Sequence, residues 1–332
     1  MMIAASPIHI GIINRNRHFD GGRGTVDNPY RIVKIRHLDN MRRYLSAHYR
    51  LENDIEFTDE FEVDGEYYNE GLLWRPMGTF SGSLDGQRYK IENLKSMNNG
   101  NTQGSFCNTL NGTIKNVVFE NIRANEGGTR YQHTGGIAGN SGSGGLIEAC
   151  IVSGHVRGGT WSGGILGRGN GAIRRCGLTA RVTLGDAAGG FVGRYSPRIY
   201  DSYMRGHTSG SNHHGGMYGS AYQVTIDRCY SAGLVEGNHL RRAIASIYDG
   251  TGGNSPRTDD CYFDTEACNT SLDGGIDSHP RTTAQMKYPY EDELNYPVYE
   301  TWDFDTVWAH DTDGTVNDGY PYLRNVTPIP EI

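Results

Sequence analysis

The sequence predicts an all-β protein: a single-stranded parallel β-helix (a solenoid) with a short N-terminal helical cap and an irregular C-terminal cap. Three observations predict it. Two phrases recur at one period, the composition favours strands and tight turns, and the apolar residues fall in short alternating pieces rather than helical runs.

The period comes first. GGIAG, GGILG, GGFVG and GGMYG begin at Gly135, Gly163, Gly189 and Gly215, which are 28, 26 and 26 residues apart. Between them a second phrase keeps the same beat: IKNV from Ile114, IEAC from Ile147, IRRC from Ile173, IYDS from Ile199 and IDRC from Ile226. Locked phrases at periods of roughly 20 to 50 residues mark stacked repeats, and a propeller blade needs about 40 to 45. Coils of short strands stacked about 4.8 Å apart place each phrase above its copy.

Composition agrees. The 332 residues include 47 glycines and 21 tyrosines, with 36% hydrophobic residues. That is too apolar for disorder, and glycine inside helices costs roughly 1 kcal/mol relative to alanine. The net charge of -7 is the wrong sign for a phosphate-backbone binder, so no nucleic acid is expected. No run approaches the ~20 apolar residues of a membrane span, so no membrane insertion is expected.

These signals divide the chain into an N-terminal extension (1–20), an N-terminal cap with the first coils (21–100), the repeat helix (101–265) and a C-terminal capping segment (266–332). The start, MMIAASPIHIGIINRNRHF, has no basic segment before its apolar part, which Pro7 and His9 interrupt, so no secretory signal is recognised. A virion or an extracellular surface is the expected location.

Within each repeat the glycines are expected to permit positive φ and close approach at corners, while Ile165, Phe191 and Met217 fill the interior. Open ends of a β-helix would template aggregation unless covered. A short amphipathic helix over Leu38 to Leu45 suits the first coil, and YETWDFDTVW, with Trp302, Phe304, Val307 and Trp308, suits the last.

Three of the six cysteines, Cys150, Cys176 and Cys229, share the fourth place of the second phrase with Val117 and Ser202, which reads as a small inward position. If any pair is bridged outside a cell, it is Cys261 with Cys268. Stacking also places Asp201 between Arg175 and Arg228, and Glu148 beside Arg174, as structural ion pairs on a solvated face.

GGRGTVDNPYRI from Gly21, HLDNMRRYL, YRLENDIEF and FSGSLDGQRYKIENL from Phe80, with the glycine and isoleucine phrases and the ending CYFDTE, TTAQM, WDFDTVW and GYPYL, resemble bacterial GLUG-repeat proteins. The resemblance runs from about Gly21 to Leu323 and implies a parallel β-helix. It implies little about activity, because those repeats accompany adhesins and separate protease modules, and H-E-x-x-H is absent here. By architecture alone the chain also resembles phage tail receptor-binding proteins.

Sites on solenoids gather where loops leave one side of the stack. The loops before each double glycine bring Tyr131, His133, Trp161, His213, His214, His239 and Arg241 towards one edge, a pattern of aromatic faces beside hydrogen-bonding groups that suits sugar rings. His213 and His214, adjacent in a loop, make a poor transition-metal pair. HDTDGTVND offers Asp311 and Asp313 as calcium candidates, yet Tyr322 stands where a calcium loop needs glutamate. No metal or other cofactor is expected.

The leading expectation is a non-enzymatic surface adhesion or virion structural protein, a phage tail or host-recognition component binding bacterial surface polysaccharide or another host-surface receptor. Other virion or surface proteins, and a second copy of the chain, are its further expected partners. One alternative is a polysaccharide lyase or hydrolase using Asp186 and Glu236, about two layers apart. The other is an architectural spacer.

Overall fold

The computed structural model describes residues 18–58, 65, 73–97, 106–125, 133–183, 187–195, 197–221, 224–237, 241–247, 257–272, 278–290 and 297–326. The chain is all-β, a parallel solenoid whose coils run through four sheets of nine, five, seven and twelve strands. One complete coil runs through Thr113–Lys115, Val118–Ala124, His133–Gly135 and Ala138–Ser141 before Leu146–Glu148 begins the next.

The isoleucine phrase builds a nine-stranded sheet. Tyr49, Leu84, Ile114, Ile147, Ile173, Ile199, Ile226 and Thr258 lie in register along it. Every one of these side chains is buried. No coil could bury such a column alone; each is completed by its neighbours. The glycine phrase supplies a second interior column, Ile137, Ile165, Phe191, Met217 and Ile244, all at 0% exposure.

The expected role of the glycines divides in two. Those of the G-G-apolar-x-G phrase are needed for close approach: a Cβ on Gly164 would lie 2.5 Å from the Gly190 carbonyl oxygen, and one on Gly190 would lie 1.9 Å from that of Gly216. The positive φ angles fall elsewhere, at the third place of the isoleucine phrase. Asn116, Ala149, Arg175, Asp201 and Arg228 take φ between 46° and 55°, and Asp260 extends the column at 48°. Each of the first five donates its backbone N–H to the next coil, as Arg175 does to the Tyr200 carbonyl at 3.0 Å and Arg228 to that of Asp259 at 3.0 Å. A left-handed turn is thus repeated without glycine, the inter-coil hydrogen bond offsetting part of its strain.

Val117, Cys150, Cys176, Ser202, Cys229 and Cys261 follow in one buried column, and all six cysteines of the chain are thiols. Cys261 and Cys268, the pair named for a bridge if any formed outside a cell, are not bonded to each other. Cys261 faces the interior column, donating to the Ile226 carbonyl at 3.4 Å, whereas Cys268 lies beside Ser231 at 3.6 Å.

The helix near the N-terminus spans Ile35–Asn40 and passes into a 3-10 turn at Met41–Arg43, starting before the expected Leu38. Leu38 and Met41 are fully buried in the solenoid core, and the Leu45 carbonyl accepts from Ser81 and Gly82 of the following coil. At the other end a turn after Asp264 covers the last coil, with Val235 N–H donating to the Cys268 carbonyl and Ala243 N–H to that of Leu272. The fourth sheet continues past residue 265 to the strand Ser278–Arg281, paired with Cys261–Asp264.

The expected plug, Tyr299 to Trp308, is therefore not over the open end. It lies against the outer face of the fourth sheet. Val118, Ile151, Tyr203, Tyr230 and Tyr262 form an outward apolar strip there, and Val298, Tyr299, Trp302, Trp308, Tyr320 and Leu323 pack on it as a second core. Trp302 and Trp308 sit 4.4 Å apart, and Tyr320 stacks on Tyr230 at 5.8 Å. Arg205 donates to the Asn317 carbonyl at 2.7 Å, and Arg88 in the early coils reaches Asn325 at 2.9 Å. The tail is a strap along the solenoid's side, placed by an apolar strip that the repeat phrases do not reveal.

Candidate ligand-binding ledge

The edge expected from the loops is built of sheet, because the residues before each double glycine pair directly in a five-stranded sheet. His133, Trp161, Ala187 and His213 lie in one register column, and Thr134, Ser162, Ala188, His214 and Arg241 in the next. Alternation along a strand sends these columns to opposite faces. His133 and Trp161 therefore meet, with ring centroids 4.7 Å apart and planes within 5°. His213 is two rungs beyond Trp161. His214 belongs to the inward column at 0% exposure and packs near Gly237, so it does not join the ledge. Arg241 pairs with His214 on the last strand of the sheet. Tyr131, His239 and Asp186 lie outside the described residues.

Three residues that the loop reading missed complete the cluster. Arg168 and Arg194 are in register on the adjoining sheet, one rung apart, and Tyr195 follows at the strand end. The Arg194 guanidinium carbon is 4.3 Å from the Trp161 ring centre and 5.7 Å from that of Tyr195; Arg168 is 5.6 Å from Tyr195. Trp161 is thus flanked by His133 from the preceding rung and by Arg194 from the following one. Its ring is half-buried and packs against both. A readable signal existed: GR follows the apolar pair in two consecutive copies, GGILGR and GGFVGR, where the flanking copies carry Asn140 and Ser220.

The accessible aromatic is Tyr195, 38% exposed. Its backbone φ is +83°, unusual for a bulky residue and costing on the order of 1–3 kcal/mol. The next coil fixes that conformation, since the Tyr218 hydroxyl donates to the Tyr195 carbonyl oxygen. Burial pushes the Tyr218 phenol well above its ordinary range, against the opposing charge of Arg194, so it stays a donor. Arg168 carries a buried Nε that meets no hydrogen-bond acceptor among the described residues.

The remaining candidates are engaged elsewhere. Glu236 bonds His207 at 2.7 Å across one rung of the fourth sheet. Asp311 Oδ2 accepts the N–H groups of Asn317 and Gly319 at 2.7 and 2.8 Å, and Asp313 accepts from Thr315, so both carboxylates hold their own loop. No group of three metal-ligating side chains occurs among the described residues.

A cavity of about 550 Å³ opens beside the left-handed turn column, lined by Asp227, Arg228, Asp259, Asp260, His279 and Thr301. Arg228 spans Asp201 at 2.7 Å and Asp227 at 2.6 Å, and Asp260 bonds Tyr262 and Thr301. Burial, opposed by Arg228, raises the Asp227 carboxyl above the ordinary range. On the neighbouring rungs Glu148 pairs with Arg175 at 2.6 Å, not with the expected Arg174, which turns its guanidinium to Tyr200. The left-handed third place directs Arg175 back along the stack, as it does Arg228.

No family model matches the chain. Halomucin of Haloquadratum walsbyi is 32% identical over 105 residues, and a Gly-rich membrane protein of Evansella cellulosilytica is 35% identical over 107. Each alignment covers 30% of this chain, but only 1% and 12% of those relatives. A solved Bacteroides ovatus protein bearing the name immunoglobulin A1 protease superposes with a TM-score of 0.65 at 21% identity, covering 93% of this chain and 96% of its own. A second solved chain, named IgA1 protease, gives 0.53 at 16% identity over 75% of this chain and 21% of its own. These likenesses establish the fold.

Proposed function

We propose that this chain is a surface β-solenoid that binds polysaccharide on the Tyr195 ledge without cleaving it. The observation that carries the reading is Tyr195: an exposed ring, on a strained backbone held by Tyr218, beside two guanidiniums in register. Strain of this kind gathers at binding sites, where the surrounding structure over-determines one conformation. A rigid aromatic face next to fixed donors suits a sugar ring, which has apolar faces and hydroxyl edges. One relative's name, Gly-rich membrane protein, supports a location at a cell surface. Binding without cleavage fits the carboxylates, since Glu236 is engaged with His207 and Asp227 with Arg228.

The test is affinity electrophoresis of the full chain through gels containing bacterial surface polysaccharides, with polymer length followed in parallel. Retardation that Tyr195→Ala weakens at least tenfold, with polymer length unchanged, is the expected result. Shortening of the polymer overturns the non-enzymatic reading, and retardation indifferent to Tyr195→Ala displaces the site.

A further inference from the structure

A second group of rings lies on the strap. Tyr288 is 43% exposed, the most exposed aromatic ring among the described residues. Tyr290 meets it edge to face at 5.7 Å, and the exposed His310 ring lies 5.8 Å away. His310 in turn stacks on the half-buried Phe304 at 4.0 Å, with planes within 4°. Four rings thus gather at the surface, and Tyr288 is the one that solvent reaches most.

The surrounding structure holds this group in place. Tyr288 N–H donates to the Gly319 carbonyl at 2.8 Å, and Lys287 beside it bonds Asp318 at 2.7 Å, so two turns of the strap are tied together. Tyr290 is buried against Tyr299 of the second core, and its hydroxyl is hydrogen-bonded to His310 Nδ1 at 2.9 Å. Its φ of +60° repeats the uncommon backbone conformation of Tyr195. A ring fixed in this way has little freedom to lose on binding, which keeps the entropic cost of recognition low. Tyr288 has an apolar face and a polar edge, as Tyr195 has, and suits a sugar ring for the same reason.

The two tyrosines belong to different sides of the solenoid. Tyr195 ends a strand of the seven-stranded sheet, whereas the strap packs on the twelve-stranded one. Around one coil the chain passes from the nine-stranded sheet to the twelve-stranded, the five-stranded and the seven-stranded in turn. One sheet therefore separates the twelve-stranded from the seven-stranded sheet in either direction, and these two face away from each other. A sugar polymer lying on one tyrosine leaves the other free for a second polymer.

We infer that the protein is bivalent: Tyr288 on the strap forms a second platform for the same polysaccharide, and the molecule cross-links polysaccharide polymers. The inference rests on the polysaccharide reading and adds a function to it. Two sites on one rigid body gain avidity at a surface and join separate polymers in solution.

The probe is a bacterial surface polysaccharide that retards the full chain in affinity gels, used whole and as short oligosaccharides. Calorimetry with the oligosaccharides is expected to give two sites per chain, and one in either Tyr288→Ala or Tyr195→Ala. Mixing the protein with the whole polymer is expected to raise light scattering to a maximum that falls again in protein excess, where each polymer is coated without being bridged. Either substitution is expected to lower that maximum at least tenfold. One site per chain, lost in Tyr195→Ala and untouched by Tyr288→Ala, overturns the bivalence and leaves the polysaccharide reading standing. Scattering that survives Tyr288→Ala also overturns it, as does a single site that Tyr288→Ala abolishes. If no surface polysaccharide retards the chain, both readings fall. Circular dichroism and an unchanged melting temperature establish that each variant is folded.

Discussion

Gly190 and Gly216 approach so closely across one rung that a Cβ on Gly190 would stand 1.9 Å from the Gly216 carbonyl oxygen. Neither residue has a positive φ, so on backbone grounds alone alanine would be tolerated or stabilising by about 0.4–1 kcal/mol. Steric overlap with backbone reverses the sign. Gly190→Ala is expected to cost roughly 3 kcal/mol by urea denaturation, as overpacking does. Gly78→Ala, where the nearest atom is a flexible Leu45 methyl at 3.3 Å, is expected to cost little. Equal effects at the two sites would contradict the close-approach account.

The left-handed column predicts the opposite response to glycine. Ala149 has φ of 51° and no charged side chain to lose. Ala149→Gly is expected to stabilise the fold by roughly 0.5–1 kcal/mol, because the left-handed conformation costs a residue with a Cβ about 1–2 kcal/mol. A lower denaturation midpoint would show that the Ala149 methyl matters more than its dihedral.

All six thiols are buried, and burial pushes Cys107 and Cys268 up to about 12. The thiolate is the reactive species. A thiol reagent at pH 8 is therefore expected to titrate almost none of them in the native protein and all six in denaturant. Fast reaction of any one in native buffer would mean that its coil opens locally.

The strap predicts a response to acid. Hydrogen bonding by Lys287 at 2.7 Å, reinforced by the charges of Lys287 and Arg205 against burial, holds the Asp318 carboxyl below the ordinary range. A carboxyl lowered in the folded state contributes stability above its unfolded value, about 4, and loses it as pH falls through the lower folded value. Trp302 and Trp308, strap residues buried against the fourth sheet, report its release. Their fluorescence is expected to shift to the red below about pH 4, and Asp318→Asn is expected to loosen the strap already at neutral pH and flatten this acid dependence. An unchanged acid profile in Asp318→Asn would remove Asp318 from the strap's hold.

The fold was legible because a period of about 26 residues is written twice, once in Ile147, Ile173 and Ile199 and once in Gly163, Gly189 and Gly215, and stacking converts period into register. The burial of the cysteine column followed from the same logic. The division of labour between glycines and turns was not legible, since Asn, Ala, Arg and Asp at the third place disclose no left-handed backbone. Nor was the strap, because it docks on Tyr203, Tyr230 and Tyr262, which lie just after the phrase that was read. At the candidate site, loop position drew His133, Trp161 and His214 together, but a step of one residue sends His214 to the interior. Arg168 and Arg194 were missed because their recurrence lies on the strand after the glycines, not in the loops before them.

The most direct measurement is a crystal structure of the full chain with an oligosaccharide of a bacterial surface polysaccharide bound. The account predicts a sugar ring packed on the exposed face of Tyr195, within about 4 Å of it. A sugar bound in the cavity beside Asp227 and His279, with the Tyr195 ledge empty, would contradict it.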